Sequence, residues 1–116
     1  MVKSFTETYA QILQLESVFH ALSDSTRRSI LRDVAAGEKT VGQIAKPYRV
    51  SLAAISKHLK VLEKANLIRR RKEGSFWLVR IHAAPMKKAE RWLAYYEKFW
   101  NQQLDALEKL LEREEG

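Results

Sequence analysis

The side chains best suited to chemistry in this sequence are basic, and they are concentrated in the middle of the chain. The 116 residues carry a formal charge of +7. Residues 25–80 hold 14 basic and four acidic side chains, a formal charge of +10, whereas the two flanks together hold −3. A contiguous basic region of this kind is expected of a phosphate-binding surface. The alternative from charge alone is a solvated lysine-rich surface.

The clearest spacing pattern within this region lies in residues 51–64. Branched apolar side chains recur at helical spacing, at Leu52, Ile55, Leu59 and Leu62. Small, polar and basic side chains occupy the opposite face, at Ala53, Ser56, Lys57 and Lys60. This pattern predicts an amphipathic helix with its leucine side inward and its lysine side outward.

Each residue type on that outward side suits a different contact with double-stranded DNA. Ala53 and Ala54 let a helix approach base edges, and their methyl groups can contact thymine methyls. Ser56 can hydrogen-bond a base or a phosphate, whereas Lys57 and Lys60 neutralise backbone charge. We therefore predict that duplex DNA is the partner of this helix.

Three further polar residues have a structural interpretation beside the DNA-binding one. Ser51 is expected to cap its helix first and to contact a phosphate second. Thr40 is expected to cap a short third helix and is also a DNA-binding candidate. His58 could donate to a phosphate or a base, or it could be a partly buried structural histidine.

A second basic run follows in residues 67–81. Branched and aromatic residues on both sides of Glu73-Gly74 predict a β-hairpin, although this pair leaves the loop length open. Its first strand carries four consecutive DNA-binding candidates, Arg69, Arg70, Arg71 and Lys72. Not all four can contact DNA, because alternate strand residues point to opposite faces. The alternative is a solubilising edge strand that blocks aggregation.

The remaining elements must position these residues. Apolar spacing predicts a first helix over about residues 6–22 and a last helix over about residues 85–112. Asp24 is expected to cap a second helix that Gly37 ends. That helix has a core stripe of Ile30, Leu31, Val34 and Ala35. Pro47 ends the third helix near residue 46, and Asn66 ends the fourth.

These elements predict one domain over residues 1–116, mainly α with a β-hairpin (α+β), in the order α-α-α-α-β-β-α. The third and fourth helices, joined by a tight connection at residues 47–50, match a helix-turn-helix whose second helix enters the major groove. The hairpin is then the wing of a winged helix-turn-helix.

The first and last helices carry more apolar area than a domain of this size can bury. Such a surplus indicates an oligomer interface. The candidates are Phe5, Tyr9 and Ile12 in the first helix and Trp92, Tyr96, Phe99, Trp100, Leu104 and Leu107 in the last. An apolar ligand in a cleft between subunits is a weaker alternative to a packed interface.

Several function classes are disfavoured by what the sequence lacks. It has no cysteine, and His20, His58 and His82 show no metal-ligand spacing, so we expect no metal and no cofactor. No glycine-rich phosphate loop or nucleophile-base pair is present, so we expect no enzyme. No apolar run suits a signal peptide or a membrane span, so we expect a cytoplasmic protein without membrane contact.

Two stretches, VFHALSDSTRRSIL at residues 18–31 and SLAAISKHLKVLEKANLI at residues 51–68, make the sequence similar to the ArsR family of winged-helix repressors. The aromatic ending resembles a subgroup without metal-sensing motifs. The resemblance implies a homodimer paired through the first and last helices, with residues 51–64 reading DNA and the hairpin as wing. The basic centre and the two-helix unit favour a dimeric repressor of a palindromic operator. Ser25 and Asn66 depart from the proline and glycine usual in the family, but both suit their local geometry.

The resemblance raises the question of metal sensing, which the residues here do not support. The cysteine pair that some members carry on the recognition helix is absent, and residues 86–116 contain no histidine. Two other classes stay open. One is a protein-interaction module that docks a different partner on the last helix. The other is an RNA-binding winged helix, for which Phe76 and Trp77 are the candidate stacking residues.

Overall fold

The computed structural model describes the backbone of residues 2–115 and the side chains of residues 9–114. These residues form two compact units, one ending at Met86 and the other beginning at Lys87. The first unit contains four helices, α1 (Val2–Leu22), α2 (Ser25–Ala35), α3 (Val41–Ala45) and α4 (Leu52–Lys64). It also contains three strands, β1 (Lys39–Thr40), β2 (Ile68–Glu73) and β3 (Phe76–Ile81). The last helix, α5 (Ala84–Glu115), continues through the second unit.

This order confirms the predicted fold class and adds one strand that the sequence pattern did not indicate. The antiparallel sheet has the order β1-β3-β2, with Lys39 opposite Val79 and Thr40 opposite Leu78. A strand of two residues shows no periodicity, so only its pairing reveals it. One domain over the whole chain stays a prediction.

The core of the first unit is built from the apolar faces of α1 to α4 and the inner face of the hairpin. Its largest fully buried members are Val18, Ile30, Val34, Ile44, Ile55, Leu59, Leu62, Leu67, Ile68 and Val79. Two residues predicted for this core, Ala35 and Leu52, are exposed instead. Ala35 is the last residue of α2, and Leu52 is the first residue of α4. Both therefore lie at a helix end, where the core does not cover them.

The predicted helix boundaries follow the expected capping chemistry, with small differences. Asp24 accepts from the backbone N–H of Arg27 at 3.1 Å and begins α2. Asn66 has the left-handed φ of 64° expected after α4. Gly37 does not adopt a positive φ, so α2 ends without the left-handed glycine that its sequence suggested. α1 begins at Val2, earlier than its predicted start at residue 6.

The hairpin turn is tighter than its sequence indicated. Glu73 pairs with Phe76, which leaves Gly74 and Ser75 as a two-residue loop. Gly74 has a φ of 59°, as type II′ turns require at their first central position. The turn-forming pair is therefore Gly-Ser and not Glu-Gly.

Candidate nucleic-acid interface

The outward side of α4 is open to solvent, as the sequence predicted. Ala53, Lys57 and Lys60, spaced four and three residues apart, are all exposed. Ala54, Ser56 and His58 are half-buried along the borders of this side. The opposite side is held in the core by Ile55, Leu59 and Leu62. The helix thus combines a fixed apolar face with a face of small and basic side chains that the first unit leaves uncovered.

The two cap residues both engage their side chains in local structure. Ser51 Oγ accepts from the backbone N–H of Ala54 at 3.1 Å and begins α4. Thr40 Oγ1 accepts from the N–H of Gln43 at 3.1 Å, and Gln43 Oε1 accepts from the N–H of Thr40 at 2.9 Å. This capping box gives Thr40 a clear structural role. DNA contacts by both hydroxyls stay predictions.

His58 is connected to α1 and α2 by a buried arginine of α2 that the sequence pattern did not indicate. Arg27 Nη1 lies 3.2 Å from His58 Nδ1. A guanidinium group can only donate, so Nδ1 must accept, and a neutral imidazole then carries its proton on Nε2. Arg27 also donates to the carbonyls of Ala21 at 2.8 Å and His20 at 3.0 Å. The Nδ1 contact supports the structural interpretation of His58 and leaves Nε2 as the nitrogen that could contact DNA.

Asp24 completes this polar cluster. Its Oδ2 lies 3.9 Å from His58 Nδ1. The hydrogen bond from the Arg27 backbone N–H is the main reason that the pKa of Asp24 is lowered, and the charge of the Arg27 guanidinium acts in the same direction. The carboxylate therefore stays ionised where α1, α2 and α4 meet.

The four basic residues of β2 divide into two paired and two unpaired side chains. Arg70 Nε lies 2.7 Å from Glu63 Oε2, an ion-pair distance, although the group lacks the alignment of a hydrogen bond. Arg71 donates to both carboxylate oxygens of Glu38 at 3.1 and 2.7 Å and approaches Glu73 at 3.0 Å. These contacts raise the pKa of Arg71 and lower that of Glu38.

Arg69 and Lys72 are exposed and make no ion pair within the described part of the chain. Among the four basic residues of β2, theirs are therefore the charges that are immediately available to phosphates. The structure also brings wing and helix together, since Lys60, Glu63, Arg70 and Trp77 line one open groove of about 320 Å³. Lys60 and Arg70, predicted separately, thus share a surface.

Two apolar residues beside the outward side of α4 were absent from the predicted site. Val50 and Leu52 flank Ser51 and are 52% and 59% exposed. Helical spacing alone assigned Leu52 to the core, because it continues the series of Ile55, Leu59 and Leu62. The feature that could have predicted the exposure of Leu52 is its position in the first turn of α4, where side chains have fewer neighbours to pack against.

Within residues 9–114, no three histidine, aspartate or glutamate side chains come together as a metal site. No helix in the described range is both long and apolar enough to cross a membrane.

Known proteins with similar sequences and structures share this arrangement. A family model described as a helix-turn-helix domain matches residues 22–71. The transcriptional repressor SdpR of Bacillus subtilis (strain 168) is 33% identical over 79 residues, covering 68% of this chain and 88% of SdpR. An ArsR-like transcriptional regulator from Rhodococcus sp. RHA1 superimposes with a TM-score of 0.72 at 34% identity, covering 90% of this chain and 95% of that structure. The homodimeric winged helix-turn-helix DNA-binding domain of Mb0332 from Mycobacterium bovis gives a TM-score of 0.61 at 28% identity, covering 84% of this chain and 88% of that domain.

The fold and the exposed α4 side together define a winged helix-turn-helix protein, in which α3 and α4 form the two-helix unit and β2 and β3 form the wing. The chain belongs to the ArsR family of winged helix-turn-helix transcriptional regulators. The resemblance noted in the sequence is thereby confirmed. Its relatives are DNA-binding regulators and not enzymes, as predicted.

Proposed function

We propose that this protein is a homodimeric repressor that binds a palindromic DNA operator and needs no metal to do so. The observation that carries the proposal is the uncovered side of α4, where Ala53, Lys57 and Lys60 face solvent. Residues 41–64, which form the helix-turn-helix, contain five basic side chains and one acidic one, so this unit carries a net positive charge. DNA phosphates are attracted to such a surface, while the small side chains leave room for base edges.

Dimerisation is supported by the exposed apolar side chains of two helices. In α1 these are Tyr9, Ile12 and Leu13. Phe5, the remaining α1 candidate, has a side chain outside the described range. In α5 all six predicted interface residues are exposed, including Trp100 at 56% and Leu104 at 57%. Apolar area of this extent on a protein surface usually marks an interface. The Mycobacterium bovis relative is described as homodimeric.

Repression is proposed because SdpR, which this chain resembles over most of its length, is named a transcriptional repressor. A dimer bound across an operator excludes other proteins from the same DNA. Since its target is the chromosome, we place the protein in the cytoplasm. Metal independence is proposed because the chain has no cysteine and residues 86–116 have no histidine.

DNA binding is tested by fluorescence anisotropy with labelled duplexes over a range of salt concentrations. The affinity should fall steeply with salt, and Lys57→Ala should lower the slope by about 1 if Lys57 contacts a phosphate. Lys109→Ala on α5 is the matched control, because it removes the same charge outside the helix-turn-helix. Affinity no greater than that of a neutral protein would contradict the proposal.

Dimerisation is tested by sedimentation equilibrium of the purified chain. Wild-type protein should be a dimer, and Leu104→Glu should shift it toward monomer, because a carboxylate is costly to bury in an apolar interface. Leu104→Met is the matched control and should leave the dimer intact. A monomeric wild-type chain would instead support the protein-interaction module.

RNA binding is a second candidate function, favoured by the exposure of Phe76 and Trp77 at the tip of the hairpin. Exposed aromatic side chains in a basic setting are typical of single-stranded RNA recognition. Competition between unlabelled duplex DNA and RNA for the bound probe separates the two. Stronger competition by RNA would displace the DNA proposal.

A further inference from the structure

We propose that Leu52, assisted by Val50, is a base-reading residue that packs against thymine methyl groups in the major groove. This inference rests on the proposed DNA-binding function and specifies what the start of α4 recognises. Leu52 is the first residue of α4 and Val50 precedes the Ser51 cap. In helix-turn-helix proteins the N-terminal residues of the second helix contact base edges. The two side chains thus stand where sequence is read.

The packing of the first unit leaves both side chains uncovered. Leu52 is 59% and Val50 52% exposed, whereas the next apolar residue of the helix, Ile55, is fully buried. A side chain that the core does not use is available to a ligand. Binding is favoured in free energy when the ligand removes the apolar surface of the side chain from water.

The hydrogen-bonding capacity of this end of the helix is limited. The residues at positions 50, 52, 53 and 54 are Val, Leu, Ala and Ala, which carry no polar side-chain atom. Ser51 Oγ accepts from the backbone N–H of Ala54 at 3.1 Å, which leaves the hydroxyl proton as the one side-chain donor at residues 50–54. Guanine, adenine and cytosine are distinguished by hydrogen bonds, whereas thymine presents a methyl group. The side chains here therefore match thymine.

The charge around the patch identifies DNA, and not another protein surface, as its occupant. Lys46, Arg49 and Lys57 are exposed, and no carboxylate occurs between Glu38 and Glu63. An apolar patch beside exposed basic side chains suits a partner that is negatively charged on its outside and presents an apolar group inside. A major groove lined with phosphates and containing thymine methyls has that character.

The test replaces single thymines by deoxyuridine, which removes the methyl group and leaves the pairing unchanged. The operator is first recovered by selection from random duplexes with the wild-type dimer. Each thymine in one half-site is then replaced in turn, and affinities are measured by anisotropy at one salt concentration. At one position or more, the wild-type affinity should fall by up to about fourfold, the effect of one buried methylene-sized group.

Variants at residue 52 assign that loss to its side chain. Leu52→Ala should bind the thymine operator more weakly than wild type and should no longer distinguish thymine from deoxyuridine at that position. Leu52→Met keeps a long apolar side chain and should retain the distinction. Thermal unfolding of each variant checks that the fold is intact, which is expected because Leu52 is largely exposed.

Two results would overturn the proposal. In one, no thymine replacement changes the wild-type affinity; in the other, the loss persists undiminished in both Leu52→Ala and Val50→Ala. Failure of the proposed DNA-binding function is distinguishable from failure of this proposal. A protein that does not bind duplex DNA yields no operator in the selection step.

Discussion

At Ser51 the capping of α4 and a proposed phosphate contact fall on one hydroxyl group. The oxygen accepts from the backbone N–H of Ala54 at 3.1 Å, and the hydroxyl proton stays available to a DNA phosphate. Stability and DNA binding can therefore both depend on this residue. Measurements on the unbound protein isolate the first role.

Ser51→Ala should lower the free energy of unfolding by about 1 kcal/mol, because the first turn of α4 loses its side-chain cap. Urea denaturation of the unbound protein measures the change. Ser56→Ala is the control on the same helix, since no hydrogen bond is found for that side chain among the described residues, and it should change stability by less than about 0.5 kcal/mol. Equal losses in the two variants would show that the cap is not the cause.

Asp24 should make stability depend on pH at the acid end. Its pKa is lowered from 3.8 chiefly by the hydrogen bond from the Arg27 N–H, so the folded state favours the ionised form. The stabilisation is fully present above the unfolded pKa and is lost as the pH falls through the lower folded value. The stability advantage over Asp24→Asn should therefore shrink as the pH drops below about 3.8.

Denaturation of both proteins between pH 7 and pH 2 checks this expectation. Asp105→Asn is a suitable control, because Asp105 is exposed on α5 and no hydrogen bond or ion pair is found for it among the described residues. An advantage of Asp24 that stays constant down to pH 2 would contradict the assigned role of the carboxylate.

Among the elements, the wing shows that ion pairs within the protein engage some of its basic side chains and leave others unpaired. Arg71 is held by Glu38 and Glu73, whereas Arg69 and Lys72 are exposed and unpaired in the described structure. Breaking the Arg71 pairs on binding DNA would offset part of the phosphate attraction. We therefore expect Arg71 to contribute less to the affinity for DNA than Arg69 or Lys72.

The salt dependence of DNA binding should reflect this division. Arg69→Ala or Lys72→Ala should lower the slope of log affinity against log salt by about 1 when the side chain contacts a phosphate, and Arg71→Ala should lower it less. The variants are compared in one anisotropy series, with Lys109→Ala as the uninvolved lysine. A larger effect of Arg71→Ala would mean that Arg71 leaves Glu38 in the complex.

Helices, caps and the basic hairpin could be predicted from the sequence because their determinants are local. Asp24, Thr40 and Ser51 cap where their types and positions indicated. β1, by contrast, is defined by its pairing with β3, which no local pattern records. Gly74-Ser75 as the turn depended on a register that sequence spacing left open.

Within the site, residue types were predictable and partners were not. The exposure of Ala53, Lys57 and Lys60 follows from helical periodicity. The Arg27 contact with His58 joins residues 31 positions apart, and the Arg71 contact with Glu38 joins residues 33 apart. Leu52 was assigned to the wrong side, because periodicity does not show where a helix loses its neighbours at its end.

For the whole molecule, the proposed homodimer has a geometric consequence for its operator. A two-fold dimer presents two copies of α4 at a fixed separation, so it fits two half-sites arranged as an inverted repeat. The exposed apolar residues of α5 extend over much of its 32 residues, which favours an extensive interface and little freedom between subunits. Such a dimer should not tolerate a changed spacing.

Insertion of about five base pairs between the half-sites rotates one by half a turn relative to the other. The affinity of the dimer should then fall toward that for a single half-site, because one α4 faces away from its groove. An insertion of about ten base pairs restores the rotation but adds about 34 Å of separation, so a rigid dimer should recover little affinity. Anisotropy with the native, five-insert, ten-insert and single-half-site duplexes measures these differences. Equal affinity for all four duplexes would mean that each subunit binds independently. Recovery of affinity with the ten-insert duplex, but not with the five-insert duplex, would indicate that the two helix-turn-helix units are flexibly joined.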